Sequence, residues 1–155
     1  MNKAILRIFI LTILLFAAAV CVNSQTISGT ITGGAVTRGS TAHGTVTMVI
    51  PGGLHVNSNR PSSEYAIATK VRLSGTGVKM GSVNYPRGTN RKFEFSENAI
   101  NVYEGTVHFP FSLTVPAGFS GNAVKLRAVV HYQACTNEVC YPPKDKEITV
   151  TAKVR

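Results

Sequence analysis

Apolar and polar residues alternate along most of the chain after residue 25. Residues 107–115 are the clearest case, because every odd position is apolar and the even positions carry His, Pro, Ser and Thr. Residues 124–132 and 148–154 alternate in the same way, and so do residues 67–73 and 46–50. A period of two is typical of a strand with one buried and one solvent-facing side. The pattern predicts an all-β chain, since no segment after residue 25 keeps a period of 3.6.

Turn-forming residues separate these segments, with Gly33-Gly34 and Pro51-Gly52-Gly53 among them. About seven short strands divided by regular turns predict a β-sandwich of immunoglobulin-like type. A closed barrel built from the same strands is the alternative architecture. Pro110 lies inside an otherwise strong strand and cannot donate a ladder hydrogen bond, which predicts an edge position or a bulge there.

The N-terminus has the three parts of a secretory signal peptide. Lys3 and Arg7 supply a basic start, residues 8–20 form an apolar run, and small and polar residues follow. The run is shorter than the roughly 20 residues that a membrane-spanning helix needs, which favours cleavage over a membrane anchor. We predict a signal peptide over residues 1–24 and a single domain over residues 25–155.

Cys21 lies just after the apolar run and raises the alternative of a lipoprotein. Lipidating signal peptidases need a small residue immediately before the cysteine, whereas Val20 stands there. We therefore expect Cys21 to be removed with the signal, by cleavage after Ser24 or, as a second choice, after Ala19. The mature chain then holds two cysteines in an oxidising compartment, where disulfides persist.

The formal charge of the chain is +9, of which Lys3 and Arg7 contribute two, so +7 remains for the predicted mature domain. Its basic residues are scattered over strands and turns, and no run of five or more occurs. This distribution argues against nucleic-acid binding. It favours a solvated surface with a bias towards acidic partners, and no second apolar span follows the signal.

Cys135 and Cys140 are the residues most informative about chemistry. A predicted strand runs into Cys135, four residues form a turn, and Cys140 leads into a rigid Tyr-Pro-Pro exit. Both sulfurs can therefore lie at the tip of a β-hairpin, close enough to form a disulfide without movement of the backbone.

Such a disulfide could be a structural staple or a redox group. Closing a loop of about six residues restricts the unfolded chain by only roughly 2 kcal/mol on the chain-entropy model. A short bridge between exposed residues is also open to attack by a partner thiolate, which is how disulfide exchange proceeds. These arguments favour redox chemistry modestly. A non-catalytic secreted binding domain with a structural hairpin disulfide is the alternative.

The flanks of the two cysteines resemble those of a known family. Residues 130–135 read Val-His-Tyr-Gln-Ala-Cys and residues 140–143 read Cys-Tyr-Pro-Pro, followed by an alternating last strand. This is similar to the N-terminal periplasmic domain of the thiol:disulfide interchange protein DsbD, and the similarity covers most of the mature chain. Residues 53–57 fall where that family has a strand lining the site. Glu94 and Phe95 fall where it has a loop that caps the cysteines.

The resemblance implies an immunoglobulin-like fold and thiol:disulfide interchange activity through a dithiol, without a cofactor. It also implies a periplasmic location in a Gram-negative type of bacterium, a membrane-embedded electron donor, and periplasmic thioredoxin-fold proteins as acceptors. Carried over, Cys140 would form the mixed disulfide with a partner and Cys135 would resolve it. Phe95 would shield the pair from oxidants until a partner displaces the loop.

Three departures accompany the resemblance. The turn between the cysteines is slightly shorter than in the best-known members, and His55 and Asn57 replace tyrosines that flank the site there. The sequence carries no membrane or thioredoxin-like domain, so this stand-alone form would meet its donor in trans. The expected site comprises Cys135 and Cys140, flanked or capped by Phe95, Glu94, His55, Asn57, Tyr132 and Tyr141.

The remaining polar residues predict no further site. The four histidines, His43, His55, His108 and His131, are dispersed and lack the paired spacing of a metal site, so no metal is predicted. Hydrolase chemistry is disfavoured, because Asp145 is the only aspartate and no Gly-x-Ser-x-Gly stretch occurs. An imidazolium at His131 or His55 would lower the pKa of a nearby cysteine, but a solvent-facing strand histidine is the simpler interpretation of each.

Overall fold

The structure is a computed structural model that describes residues 24–155. Apart from Ser24, the predicted signal peptide lies outside the described residues, as does Cys21. One 3-10 turn occurs at Thr32–Gly34, and all other regular elements of the described chain are strands. The strands are β1 (Thr26–Ile31), β2 (Ala35–Val36), β3 (Thr41–Val49), β4 (His55–Asn57), β5 (Lys70–Gly75), β6 (Lys79–Val83), β7 (Thr89–Arg91), β8 (Ile100–Tyr103), β9 (Thr106–Thr114), β10 (Ala123–Tyr132), β11 (Ala134–Cys135) and β12 (Lys144–Val154).

These strands form three four-stranded sheets. The first has the order β1-β3-β9-β6, the second β2-β12-β10-β5 and the third β11-β4-β8-β7. Strand pairing is antiparallel except between β2 and β12, which run parallel. The first two sheets pack on either side of one hydrophobic core. The predicted all-β, immunoglobulin-like β-sandwich is therefore confirmed, and the strands do not close into a barrel.

The core follows from the alternation of the sequence. In β9 the odd-numbered residues from Val107 to Leu113 are buried and the even-numbered ones are more exposed. Leu126 and Val130 of β10 are fully buried in the opposite sheet. Burying each such side chain stabilises the fold by about 1.5–3 kcal/mol. Because alternate residues of a strand project from the same face, the face that carries the apolar residues is the one that turns inward.

Gly33 and Gly34 let the chain cross from one sheet to the other. Both have a positive φ, +74° at Gly33 and +67° at Gly34. Residues that carry a Cβ rarely adopt this backbone conformation. Immediately before them β1 pairs with β3 in the first sheet, and immediately after them β2 pairs with β12 in the second. The Gly-Gly turn predicted from the sequence is thus the point at which the chain changes sheets.

Pro110 does not lie on an edge strand, so the first of the two predicted alternatives, an edge position, is wrong. Its strand β9 has β3 on one side and β6 on the other. The carbonyl oxygen of Pro110 accepts a hydrogen bond of 2.8 Å from the backbone N of Asn84, just beyond the end of β6. The backbone N of Pro110, which has no hydrogen to donate, faces the same side as its carbonyl oxygen. The pairing with β6 ends there, so β6 loses no ladder hydrogen bond. The irregularity falls in β6, whose register shifts between Met80 and Val83.

The third sheet carries the cysteines. β10 ends at Tyr132 in the second sheet, and after Gln133 the chain continues as β11 in the third sheet, beside β4. The first arm of the following hairpin therefore pairs within the third sheet, beside β4. Within residues 24–155 there is no helix that could cross a membrane.

Candidate functional site

Cys135 and Cys140 are joined by a disulfide at a hairpin tip, as the sequence predicts. The two residues face each other in an antiparallel bridge, with Cα atoms 4.0 Å apart. Thr136 closes the turn between them: its backbone N donates to the carbonyl oxygen of Val139 at 2.8 Å. Its hydroxyl oxygen accepts from the backbone N atoms of Glu138 and Val139. The turn is therefore hydrogen-bonded on its own, without help from the sandwich.

The two cysteines differ sharply in burial. Cys135 is 0% exposed, whereas Cys140 is exposed together with its neighbours Val139 and Tyr141. Cys140 is therefore the cysteine of the pair that lies closer to solvent and to an external thiol. The approach of such a thiol to Cys135 is blocked by the protein itself.

Gln133 connects the hairpin to two other segments. Its Oε1 accepts hydrogen bonds from Asn57 Nδ2 at 3.1 Å and from the backbone N of Ile67 at 3.3 Å. Its Nε2 donates to the carbonyl oxygen of Tyr141 at 3.2 Å. The backbone N of Tyr141 donates in turn to the carbonyl oxygen of Ala134 at 2.9 Å. The glutamine thus holds both arms of the hairpin and the two chain segments beside it.

Asn57 is buried and acts in this network. It is 2% exposed, and besides its bond to Gln133 it donates from Nδ2 to the carbonyl oxygen of Ile67 at 3.1 Å. Its own carbonyl oxygen accepts from the Thr69 hydroxyl at 2.5 Å. The structure therefore places this predicted flanking residue against Gln133, where it braces the hairpin.

His55 lies directly opposite Cys135 in the pairing of β4 with β11. It is 2% exposed, so the expectation of a solvent-facing histidine is wrong at this position. Burial lowers the pKa of His55, with a smaller upward effect from Glu104 and a further lowering from Arg91. A histidine with a lowered pKa is neutral at pH 7, which also argues against the imidazolium considered from the sequence.

His131 does occupy the outer face of its strand, as predicted. It lies opposite Asp145 in the pairing of β10 with β12, and its Nδ1 is 2.8 Å from Asp145 Oδ1. The same aspartate is 3.6 Å from Arg72. His131 is therefore engaged in a surface cluster, although only four residues separate it from Cys135 in the sequence.

Phe93 and Phe95 stack in a column over His55. The ring of Phe93 is stacked on the imidazole with centroids 4.2 Å apart, and the ring of Phe95 is stacked on Phe93 at 5.2 Å. Phe93 is 4% exposed and Phe95 is 43% exposed. The sequence reasoning did not select Phe93, although the Phe-Glu-Phe alternation around Glu94 was a usable signal for a second inward ring.

The loop that carries these rings reaches the cysteine turn. Glu94 and its preceding residues line one cleft together with Asn137 and Glu138, which lie between the two cysteines. The loop that the sequence places as a cap is therefore adjacent to the disulfide hairpin. The shielding role expected of Phe95 stays a prediction.

Tyr132 and Tyr141 lie on the other flank of the hairpin. Tyr132 belongs to the core and is 1% exposed, and burial raises its pKa. Tyr141 is 45% exposed. The two rings line a mostly apolar pocket of about 490 Å³ together with Leu54 and Pro142. Tyr132 is thus a core residue, and Tyr141 is part of the wall of this pocket, next to the exposed Cys140.

The described residues 24–155 contain no group of three or more His, Cys, Asp or Glu side chains arranged to hold a metal ion. The chemistry that the site offers is that of one disulfide with unequal access to its two sulfurs. Beside it lie one buried imidazole and one loop of stacked aromatic rings.

Comparison with known proteins identifies relatives of this arrangement. A family model described as "Thiol:disulfide interchange protein DsbD, N-terminal" matches residues 33–152. No curated protein matches the chain. A solved structure of the N-terminal periplasmic domain of ScsB from Proteus mirabilis is similar, with a TM-score of 0.54 and 15% identity over 81% of this chain and 45% of that one. The N-terminal domain of DsbD from Neisseria meningitidis, solved in the reduced form, aligns with a TM-score of 0.45 and 23% identity over 71% of this chain and 80% of that one.

These likenesses differ in what they establish. The ScsB structure supports the fold, and the present chain spans less than half of its length. The family model covers well over half of the chain and includes both cysteines of the hairpin.

Proposed function

Because the chain belongs to the family of DsbD N-terminal domains, whose shared chemistry is thiol–disulfide exchange, we propose that it is a periplasmic electron-passing module. Its dithiol, Cys135 and Cys140, takes electrons from a membrane-embedded donor in trans and passes them to periplasmic thioredoxin-fold proteins. The membrane partner and the acceptors are part of this proposal.

The unequal burial of the two cysteines carries the proposal. A disulfide is exchanged by in-line attack of a thiolate on one sulfur, so the attacked sulfur must be reachable. Cys140 is exposed and Cys135 is fully buried. Cys140 therefore forms the mixed disulfide with a partner, and Cys135 resolves it from the protected side.

The loop over the hairpin supplies selectivity in this scheme. Phe95 anchors the loop by stacking on Phe93, which is itself stacked on His55. Glu94 and the cysteine turn share one cleft. A partner that displaces the loop gains access to the disulfide, whereas small oxidants and thiols meet the closed form.

Trapping a partner tests the role of each cysteine. The reduced Cys135→Ser variant, mixed with an oxidised thioredoxin-fold protein and quenched with an alkylating reagent, is expected to yield a mixed disulfide that is visible by non-reducing electrophoresis. Cys140 can attack, no Cys135 thiol is present to resolve the product, and alkylation blocks the partner's released thiol from attacking back. The matched Cys140→Ser variant is expected to trap little or none. Trapping by Cys140→Ser alone would reverse the two roles, and no trapping by either variant would contradict the exchange function.

The equilibrium potential separates this function from the structural alternative. Structural disulfides of secreted proteins have potentials below about −300 mV, which makes them resistant to the glutathione pool. Equilibration of the purified domain with glutathione or dithiothreitol is expected to give a less negative value. A value well below that limit would support a non-catalytic binding domain with a structural bridge.

A further inference from the structure

A row of three side chains crosses the third sheet at the site. Cys140 is opposite Cys135 in one bridge, and Cys135 is opposite His55 in the next. Residues directly opposite in antiparallel strands project from the same face, with Cβ atoms about 4.5–5.5 Å apart. His55 is therefore the neighbour of Cys135 on the side away from Cys140. From this position a side chain could exchange a proton with the buried cysteine.

The imidazole of His55 has an unused polar atom. Its Nε2 is buried and has no hydrogen-bond partner among the described residues. Leaving a buried polar atom unpaired is costly, so such an atom calls for an explanation. The described structure holds the disulfide, in which Cys135 has no hydrogen to donate. Reduction gives Cys135 an S–H group, which supplies a donor on the residue directly opposite His55.

The buried cysteine needs a proton acceptor. Only a thiolate attacks a disulfide, and burial raises the pKa of a thiol because it disfavours the charged form. Cys135 is 0% exposed, and Phe93 covers the neighbouring imidazole. Bulk water therefore has poor access to the Cys135 thiol, and an internal base is the direct route for its proton.

We infer that His55 accepts the proton of the Cys135 thiol in the resolving step, an inference that rests on the proposed exchange function. First, the Cys140 thiolate attacks one sulfur of the partner's disulfide and expels the other as a thiolate. The Cys135 thiol then passes its proton to Nε2 of His55. The new thiolate attacks Cys140 Sγ, so that the Cys135–Cys140 bond forms and the bond from Cys140 to the partner breaks. The domain's dithiol loses two electrons, the partner's disulfide becomes a dithiol, and the imidazolium returns its proton to the departing sulfur or to water.

The charges around His55 are compatible with this role. Glu104 and Arg91 are the charged groups that act on the imidazole, and they form an ion pair with each other at 3.0 Å. Lys92 and Glu94 of the loop packed on the ring are exposed. Burial holds His55 in its neutral form at pH 7, since it lowers the pKa. A neutral imidazole protonated at Nδ1 presents the Nε2 lone pair as an acceptor.

The test follows the two steps of oxidation separately. Reduced wild-type protein and the His55→Gln variant are each mixed with oxidised glutathione and quenched with acid at intervals. Mass spectrometry then separates the glutathione adduct at Cys140 from the internal disulfide. We expect an unchanged first step and a second step slowed on the order of 100-fold at pH 7, the usual size of a general-base effect. The adduct should therefore accumulate in the variant.

The pH profile distinguishes proton transfer from a structural effect. Without the base, the second step depends on direct ionisation of Cys135, so its rate should rise about tenfold per pH unit and approach that of the wild type at high pH. A distorted site would be slow at every pH. The His55→Phe variant, which keeps an aromatic ring against Phe93, should show the same profile as His55→Gln. The His131→Gln variant is the matched control and should behave as wild type, because His131 faces Asp145 on the outer side.

Two results would overturn the inference. The first is a second step in both His55 variants with the wild-type rate and pH profile. The second is a slowing that persists undiminished at high pH. Failure of the proposed function would be seen earlier and differently, as a reduced wild-type protein that forms neither the glutathione adduct at Cys140 nor the internal disulfide.

Discussion

At the scale of single residues, Gln133 holds together parts of the site that are distant in sequence. It bonds to Asn57 on β4, to Ile67 ahead of β5 and to Tyr141 beyond the exposed cysteine. These three contacts fix the point at which the chain leaves the second sheet for the third. The glutamine of the Tyr-Gln-x-Cys motif therefore has a physical role, which is to set the position of the hairpin relative to β4.

Replacing Gln133 by leucine is expected to lower the free energy of unfolding by about 1–3 kcal/mol, because the buried amide of Asn57 loses an acceptor. Urea denaturation of the oxidised protein measures this change. The control is Asn90→Leu, which removes a side-chain bond of 2.7 Å to Asn101 on the exposed side of β8. Its effect should stay within about 0.5 kcal/mol. Equal losses in the two variants would contradict the bracing role.

The residues of the site were predictable to different degrees. Cys135, Cys140 and their flanks could be found because the residues that form the hairpin are close together in the sequence. The burial of His55 could not, since it depends on which strand pairs with β11 and on a loop that folds back over the ring. A single histidine in a three-residue strand has the same local pattern whether it faces water or the protein interior.

At the scale of elements, the loop between β7 and β8 is held over His55 by two aromatic rings. Phe93 fixes it from inside by stacking on His55, and Phe95 adds a second ring from the exposed side. Segments with few buried contacts open at low free-energy cost. The loop lines one cleft with the cysteine turn, so it is the element that we propose opens when a partner binds.

Truncating Phe95 to alanine is expected to speed reduction of the disulfide by dithiothreitol. An aromatic pair contributes about 0.5–1.5 kcal/mol beyond its buried area, so its loss should raise the open fraction, and with it the rate, by roughly 2- to 12-fold. Stopped-flow measurement of the reduction rate provides the readout. Tyr65→Ala is the control, because Tyr65 is 86% exposed and is not part of the aromatic column. An unchanged rate in Phe95→Ala would show that this ring does not hold the loop closed.

The strands illustrate which elements a sequence can predict. The long strands β9, β10 and β12 were found from alternation because each places many side chains against the core. The short strands β4, β7 and β11 have two or three residues each, too few for a period to be visible. Since the site is built on two of these short strands, the fold was more predictable than the arrangement of the site.

At the scale of the whole molecule, the charge of +7 predicted for residues 25–155 gives the domain a net positive field, from basic residues scattered along the sequence. Such a field attracts acidic partners over distances set by the Debye length, about 30 Å at 0.01 M salt and 8 Å at 0.15 M. Its effect is therefore on the rate of encounter, and it does not select a particular site of contact.

Raising the ionic strength across this range is expected to slow exchange with an acidic thioredoxin-fold protein by about tenfold. The measurement is the second-order rate constant of the first exchange step, followed by stopped flow. Reaction of the same reduced domain with 2-hydroxyethyl disulfide, which is uncharged, is the control and should change little. A partner rate that is equally insensitive to salt would contradict electrostatic steering.

The two bridged cysteines are only five positions apart in the sequence, and this has a consequence for a copy of the protein that has lost its fold. A bridge between such near neighbours can persist in an unfolded chain. There, both sulfurs would be open to any thiol, and neither His55 nor the aromatic loop would be in place. Any thiol could reduce the bridge of such a copy, which would take up two electrons without passing them to a partner. The selectivity of the disulfide for its partners would therefore depend on the folded strands around it more than on the bond itself.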